Sequence, residues 1–238
     1  MTTIHIIPLL TDNYAYVLEN DGKAAVIDPG EAAPVLTFLK DKGLTLTHII
    51  CTHHHGDHIG GAAELKAATG ALVIGPASET ARIPGMDRLV REGDILDILD
   101  ETFHAIETPG HTRGHVCYYA PGLKALFSGD TLFSLGCGRL FEGSAEEMWT
   151  SLQKLSALPD EMKIYCGHEY TASNARFCAH IEPENTALQE RIAEIERLRS
   201  AGLPTIPSTL ASEKACNVFL RAGSAERFGE LRTEKDGF

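Results

Sequence analysis

Positive charge is scarce in this chain: 21 lysines and arginines face 33 aspartates and glutamates, a net charge of −12. A protein that grips nucleic acid needs a cation surplus on at least one face to neutralise phosphates, so no nucleic-acid partner is expected. Paired cysteines are missing too. The six at 51, 117, 137, 166, 178 and 216 include no Cys-x-x-Cys and no disulfide-like rhythm, which suits a reducing, cytoplasmic setting. Cys51 and Cys166, each two residues before a histidine of interest, read as small buried hydrophobes, not ligands. No long apolar run opens the chain. Ile4 to Leu10 is short, lacks a basic start and runs into Thr11-Asp12-Asn13, so neither a signal peptide nor a membrane span is expected. A G-x-S-x-G elbow and a phosphate-cradling glycine loop are both absent, which removes serine hydrolases and P-loop enzymes and leaves water as the nucleophile.

What the chain has is histidine, concentrated in one place. Thr52-His53-His54-His55-Gly56-Asp57-His58 directly follows the apolar run Ile49-Ile50-Cys51. Imidazole and carboxylate share a preference for zinc, iron and neighbouring ions, and crowding them is costly unless a metal organises them. In an extended chain alternate side chains share a face, so His53 and His55 converge on one ion and His54 points away. Gly56 permits a sharp turn, and Asp57 with His58 beyond it suits a second ion.

The hydrophobic share, 43% of 238 residues, is that of a globular protein with one large or two small domains. Short runs at 3–9, 14–19 and 24–27, punctuated by Asp-Asn and Asp-Gly, predict an antiparallel opening. Helices over 33–42 and 62–68, stopped by Gly43 and Gly70, alternate with strands over 47–51 and 71–74, which makes the chain α/β. Further strands are expected at 95–96, 103–107, 116–119 and 123–127, with Pro121-Gly122 as a hairpin turn. A helix over 144–158 should open with Ser144 and Glu147 as a capping box. After Tyr170 the strands stop. Helices are expected over 171–180 and 186–200, the second burying Leu188, Ile192, Ile195 and Leu198 against the first domain, with another over 212–220 and a solvated charge run at 232–236. The division is therefore 1–169, a catalytic domain, and 170–238, a helical one.

Four predicted strands end in a ligand-competent side chain: His53, His111 after Pro109-Gly110, Asp130 after Gly129, and His168 after Gly167. Loops leaving strand ends form the sites of α/β proteins, so these exits supply seven candidates, enough for two ions. His115, four residues after His111, competes with it only if that loop is helical, and Pro109-Gly110 favours a loop.

With His53, His55, Asp57, His58, His111, Asp130 and His168 laid out, the chain resembles the metallo-β-lactamase superfamily, through its T-H-x-H-x-D-H signature. The resemblance implies an αββα sandwich with a C-terminal helical domain. Within the superfamily the chain is similar to hydrolases of glutathione thioesters, through Thr11-Asp12-Asn13-Tyr14, Gly136-Cys137-Gly138-Arg139, Cys166-Gly167-His168-Glu169-Tyr170 and Thr233-Glu234-Lys235-Asp236. It implies that His53, His55 and His111 hold one metal, that Asp57, His58 and His168 hold another, and that Asp130 bridges them. Asp57 and Asp130 are then the catalytic carboxylates, and Arg139, Phe141, Tyr170, Arg232 and Lys235 the substrate-binding residues. Phe141 stands where relatives have tyrosine, and Arg139 where some have lysine.

Two divalent ions, zinc first with iron or manganese as alternatives, activate water for hydrolysis. A thioester fits, because a thiol of pKa roughly 8.5 leaves as thiolate without a dedicated acid, and the sequence offers no obvious one. The expected partner is a small glutathione thioester, with no membrane, and the chain is expected to act as a monomer. A hydrolase of lactams, lactones or phosphodiesters is disfavoured by the helical tail and Arg139, and a single-iron glutathione persulfide dioxygenase by the 233–236 tail. A non-catalytic zinc protein would need a closed ligand sphere, which two ions sharing seven ligands do not have.

Overall fold

The computed structural model describes residues 1–238. It divides into two compact units, one of Met1–Glu107 with Gly114–Gly129 and one of Thr108–Arg113 with Asp130–Phe238.

The first unit contains β1 (Thr3–Leu9), β2 (Asn13–Asn20), β3 (Lys23–Ile27), α1 (Ala32–Lys42), β4 (Thr45–Ile50), α2 (Gly56–Ile59), α3 (Ala62–Thr69), β5 (Leu72–Pro76), β6 (Arg88–Val90), β7 (Ile95–Ile98), β8 (Glu101–Glu107), β9 (Val116–Ala120) and β10 (Ala125–Gly129). One sheet runs in the order β1 to β6, antiparallel as far as β3 and parallel beyond it. The connections dictate that change. Asp21-Gly22, both at positive φ, closes a two-residue hairpin between β2 and β3, whereas α1 and α3 carry the chain back to begin parallel strands. A second, antiparallel sheet contains β7 to β10.

Both faces of β2 are covered. Ala15 and Val17 join Val26, Val35, Leu39, Ile49 and Leu65 in the helix-covered core, while Tyr16 packs its ring 5.7 Å from that of Phe127 on β10. Tyr118 of β9 donates its hydroxyl to the Cys51 carbonyl at 2.9 Å. The unit is thus a helix layer over two facing sheets, and each fully buried large apolar side chain contributes about 1.5–3 kcal/mol. The expected hairpin at Pro121-Gly122 is present, β9 pairing antiparallel with β10, but its turn is a short 3₁₀ turn, Pro121–Leu123, so β10 starts at Ala125, two residues later than the sequence suggests.

The second unit contains β11 (Leu132–Phe133), β12 (Gly136–Cys137), α4 (Ala145–Ser156), β13 (Lys163–Cys166), α5 (Thr171–Ile181), α6 (Thr186–Ser200), β14 (Ser208–Thr209), α7 (Leu210–Cys216) and α8 (Ala225–Gly237). α4 opens with the expected capping box: Ser144 Oγ accepts from the Glu147 amide and Glu147 Oε2 from the Ser144 amide. On α6, Leu188 and Ile195 are buried but Ile192 and Leu198 only partly, because Arg191 takes part of that face and donates to Thr205 O at 2.9 Å. The helix expected to reach Leu220 ends at Cys216, where the Asn217 side chain turns to donate to Phe133 O and Gly136 O. The charge run at 232–236 is not a solvated strand of charges. It is the end of α8, anchored by buried Phe228, Leu231 and Arg232. No helix is long and apolar enough to cross a membrane.

Candidate metal centre

In the first unit the site grows from the exit of β4. The Cys51 amide donates to Ile74 O and the Val116 amide to Thr52 O, both at 2.9 Å, so the backbone is fixed up to the first histidine. Asp28, at the end of β3, then acts as a buried hub. Its Oδ1 accepts the Thr52 amide at 2.8 Å, and its Oδ2 accepts Thr52 Oγ1 at 2.7 Å and His58 Nδ1 at 3.0 Å.

This hub sets the tautomers. Thr52 Oγ1 spends its proton on Asp28, so it accepts from His53 Nδ1, 2.9 Å away, and His53 Nε2 keeps its lone pair. The same logic leaves the lone pair on His58 Nε2, because His58 donates its Nδ1–H to Asp28. Ligand-capable atoms of Asp28, His53 and His58 lie within 4.8 Å of one another. The His55 and His58 rings stand 4.6 and 4.2 Å from that of His53. Gly56 opens α2 where a bare turn was expected, and Asp57 in its first turn puts Oδ2 3.5 Å from His58 Nε2. Asn13 steadies that carboxylate, donating to Asp57 Oδ2 at 2.9 Å.

His54 turns the other way, as alternation requires, with Nδ1 3.1 Å from Glu79 Oε2 and Nε2 3.3 Å from Arg82. His115 is buried and stacks on His53 with ring centroids 4.9 Å apart. Gly129 sits beside it at φ 46°, where a Cβ would come within 2.6 Å of both Thr52 Oγ1 and His115 Nε2, so only glycine fits.

In the second unit, His111 donates Nδ1–H to Arg139 O at 2.9 Å, which again puts the lone pair on Nε2. That Nε2 lies 3.3 Å from Asp130 Oδ2, and His168 Nε2 lies 3.3 Å from the same oxygen. His168 stacks on Tyr170 with rings 4.6 Å apart and nearly parallel, and His111 meets the exposed Phe141 edge-on at 5.2 Å. Arg139 extends into solvent with Nε 3.6 Å from Asp236 Oδ1. Arg232 is only 6% exposed: it donates to Cys137 O at 3.0 Å and to Asp236 Oδ1 at 2.9 Å, and lies over the Phe219 ring. Lys235 Nζ donates to Ser173 O at 3.2 Å and lies over Phe177. Burial first, then the positive charges of Arg232, Arg176 and Arg139, hold its ammonium below the usual lysine range.

All six cysteines are buried free thiols. Burial, with the nearby Asp28 charge, pushes the Cys51 thiol far up, and burial pushes Cys166 up to about 12, so both stay protonated and neither offers a thiolate. The donor sets are imidazole and carboxylate, which suit divalent ions of borderline to hard character. Sequence reasoning missed Asp28, Thr52 and Asn13 as orienting groups. Asp28-Pro29-Gly30 reads as turn punctuation in the sequence; only the fold marks Asp28 as a constrained position, a non-glycine residue at a left-handed φ of 51°.

The chain belongs to the metallo-beta-lactamase superfamily, whose family model matches residues 10–168. Its narrower kinship lies with hydroxyacylglutathione hydrolases: the model of the hydroxyacylglutathione hydrolase C-terminus matches residues 169–238. The hydroxyacylglutathione hydrolase of Rhodospirillum rubrum is 53% identical over 251 residues, spanning 99% of this chain and 98% of that protein. That of Methylococcus capsulatus is 48% identical over 254 residues, spanning 100% and 99%. Among solved structures, ETHE1 from Myxococcus xanthus superposes with a TM-score of 0.75 at 26% identity, spanning 97% of this chain and 90% of that one.

Proposed function

We propose that this chain hydrolyses S-D-lactoylglutathione, and S-(2-hydroxyacyl)glutathiones generally, to the 2-hydroxy acid and glutathione, as the second step of methylglyoxal detoxification. The observation that carries this reading is the kinship at about half identity along the whole chain, which takes in both the histidine and carboxylate donors and the C-terminal region.

On this reading His53, His55 and His111 hold one divalent ion, Asp57, His58 and His168 a second, and Asp130 bridges them. Zinc is the first candidate, with iron and manganese as alternatives. The Nδ1 commitments of His53, His58 and His111 support it, since each leaves Nε2 ready to ligate. So does Asp130 Oδ2, which lies 3.3 Å from His111 Nε2 and 3.3 Å from His168 Nε2 and so stands beside one proposed ligand of each ion. When bound, such ions supply a nucleophile at neutral pH and polarise the thioester carbonyl. The chain's own residues do the rest. Asp28 and Asn13 hold His58 and Asp57 in place, and Asp57 and Asp130 are the catalytic carboxylates. The leaving thiol needs no proton donor, which fits a site without a dedicated acid.

Arg139, Tyr170, Arg232 and Lys235 are proposed to grip the glutathione portion. Phe141 offers that portion an aromatic wall without a hydroxyl, and the arginine fork of Arg139 offsets the loss by bidentate carboxylate binding. Residues 1–169 then form the catalytic domain and 170–238 the substrate-binding one, in a cytoplasmic monomer. Thiol release from S-D-lactoylglutathione by purified, metal-loaded protein tests the reading. Turnover is expected without any organic cofactor. A folded, metal-loaded protein that releases no thiol overturns it, and oxygen uptake with glutathione persulfide would transfer it to the dioxygenase class.

A further inference from the structure

We propose that Arg176 is a further substrate-contacting residue, the fourth of a group of cations, with Arg139, Arg232 and Lys235, that together receive a carboxylate of the glutathione portion. This rests on the function proposed above and assigns that site a residue outside its signature motifs.

The placement follows from helix geometry. On α5, Ser173, Phe177 and His180 all meet α8: Ser173 O accepts from Lys235 Nζ at 3.2 Å, the Phe177 ring lies 5.4 Å from that of Phe238, and His180 Nε2 lies 3.4 Å from Glu234 Oε1. At about 100° per residue, Arg176 falls about 40° from His180, within the same sector of the helix. It is exposed, and no carboxylate pairs with it. The charge count around it does not close. Asp236 Oδ1 serves both Arg232, at 2.9 Å, and Arg139, at 3.6 Å. Lys235 has serine oxygens and aromatic faces for company, and Glu234 is turned to His180. Of Arg139, Arg176, Arg232 and Lys235 only Arg139 and Arg232 thus have a carboxylate partner, and it is the same one, in a chain whose net charge is −12. The depressed Lys235 ammonium registers the crowding, with Arg176 among its causes. Cations that outnumber their counter-charges are stabilised by an anion that arrives from outside, and a glutathione thioester brings two carboxylates.

The test compares wild type with Arg176→Ala and Arg176→Lys. In Arg176→Ala, KM for S-D-lactoylglutathione should rise about 3- to 10-fold with kcat within about 2-fold, and the affinity of metal-loaded protein for glutathione, measured by calorimetry, should fall in parallel. Arg176→Lys should recover part of the loss, and high salt should narrow the gap between Arg176→Ala and wild type. Unchanged KM and unchanged glutathione affinity in a folded Arg176→Ala overturn the proposal, as does a loss confined to kcat. If wild type itself neither binds glutathione nor releases thiol, it is the function reading that fails.

Discussion

Asp28 shows how much of the metal centre depends on a residue that is not among the seven proposed ligands. It takes three donors on two oxygens, and two of them, Thr52 Oγ1 and His58 Nδ1, decide which nitrogen of His53 and of His58 faces outward. Asp28→Ala leaves buried donors unmet, at a cost of about 1–3 kcal/mol of stability. It also frees both rings, so metal affinity should drop about 10- to 100-fold. Chelator competition on the folded variant checks this: affinity equal to wild type would mean the rings are oriented by something else. Asp28 was illegible in the sequence because Asp-Pro-Gly is ordinary turn chemistry, whereas His53, His54 and His55 were legible because their alternation has a geometric meaning on its own.

At the scale of elements, legibility followed how densely each one displays its pattern. β2, α1, α4 and α6 carry strong periodicity and explicit stop or cap residues, and their observed spans match expectation to within a residue or two. α8 was missed. Only Phe228, Leu231 and Arg232 anchor it, and a charged residue standing in an apolar position hides the helical repeat. That arginine and Lys235 should separate experimentally. Lys235→Ala removes a partly buried cation from the proposed glutathione grip, so KM should rise about 10-fold with the melting temperature little changed. Arg232→Ala also strands the Cys137 carbonyl and Asp236, so it should cost about 1–3 kcal/mol of stability as well as affinity. Urea unfolding alongside kinetics distinguishes them. Equal stability in the two variants would show that Arg232 does not anchor α8.

For the molecule as a whole, the buried thiols set an alkaline limit. Burial pushes Cys137 up to about 11, against the opposing pull of Arg232, and pushes Cys166 and Cys178 up to about 12. In the unfolded chain these thiols ionise near pH 9. A folded-state pKa above the unfolded one stabilises fully below pH 9, and that contribution is lost as pH rises through 9 toward 11. Lys235, depressed in the fold, opposes this in the same range, but it is one group against three. The urea midpoint should therefore fall steadily from about pH 8.5 to about pH 10.5, where the unfolded thiols ionise and the folded ones do not, and a flat profile would contradict the burial of these thiols.

The seven proposed ligands matter only if they make a two-ion hydrolytic centre, and one measurement addresses that directly: titrating metal-free protein with zinc while following hydrolysis of S-D-lactoylglutathione at each addition. Uptake should saturate at two equivalents per chain, with thiol release reaching its maximum only when the second is bound. Saturation at a single equivalent, or two equivalents bound with no thiol released, would contradict it.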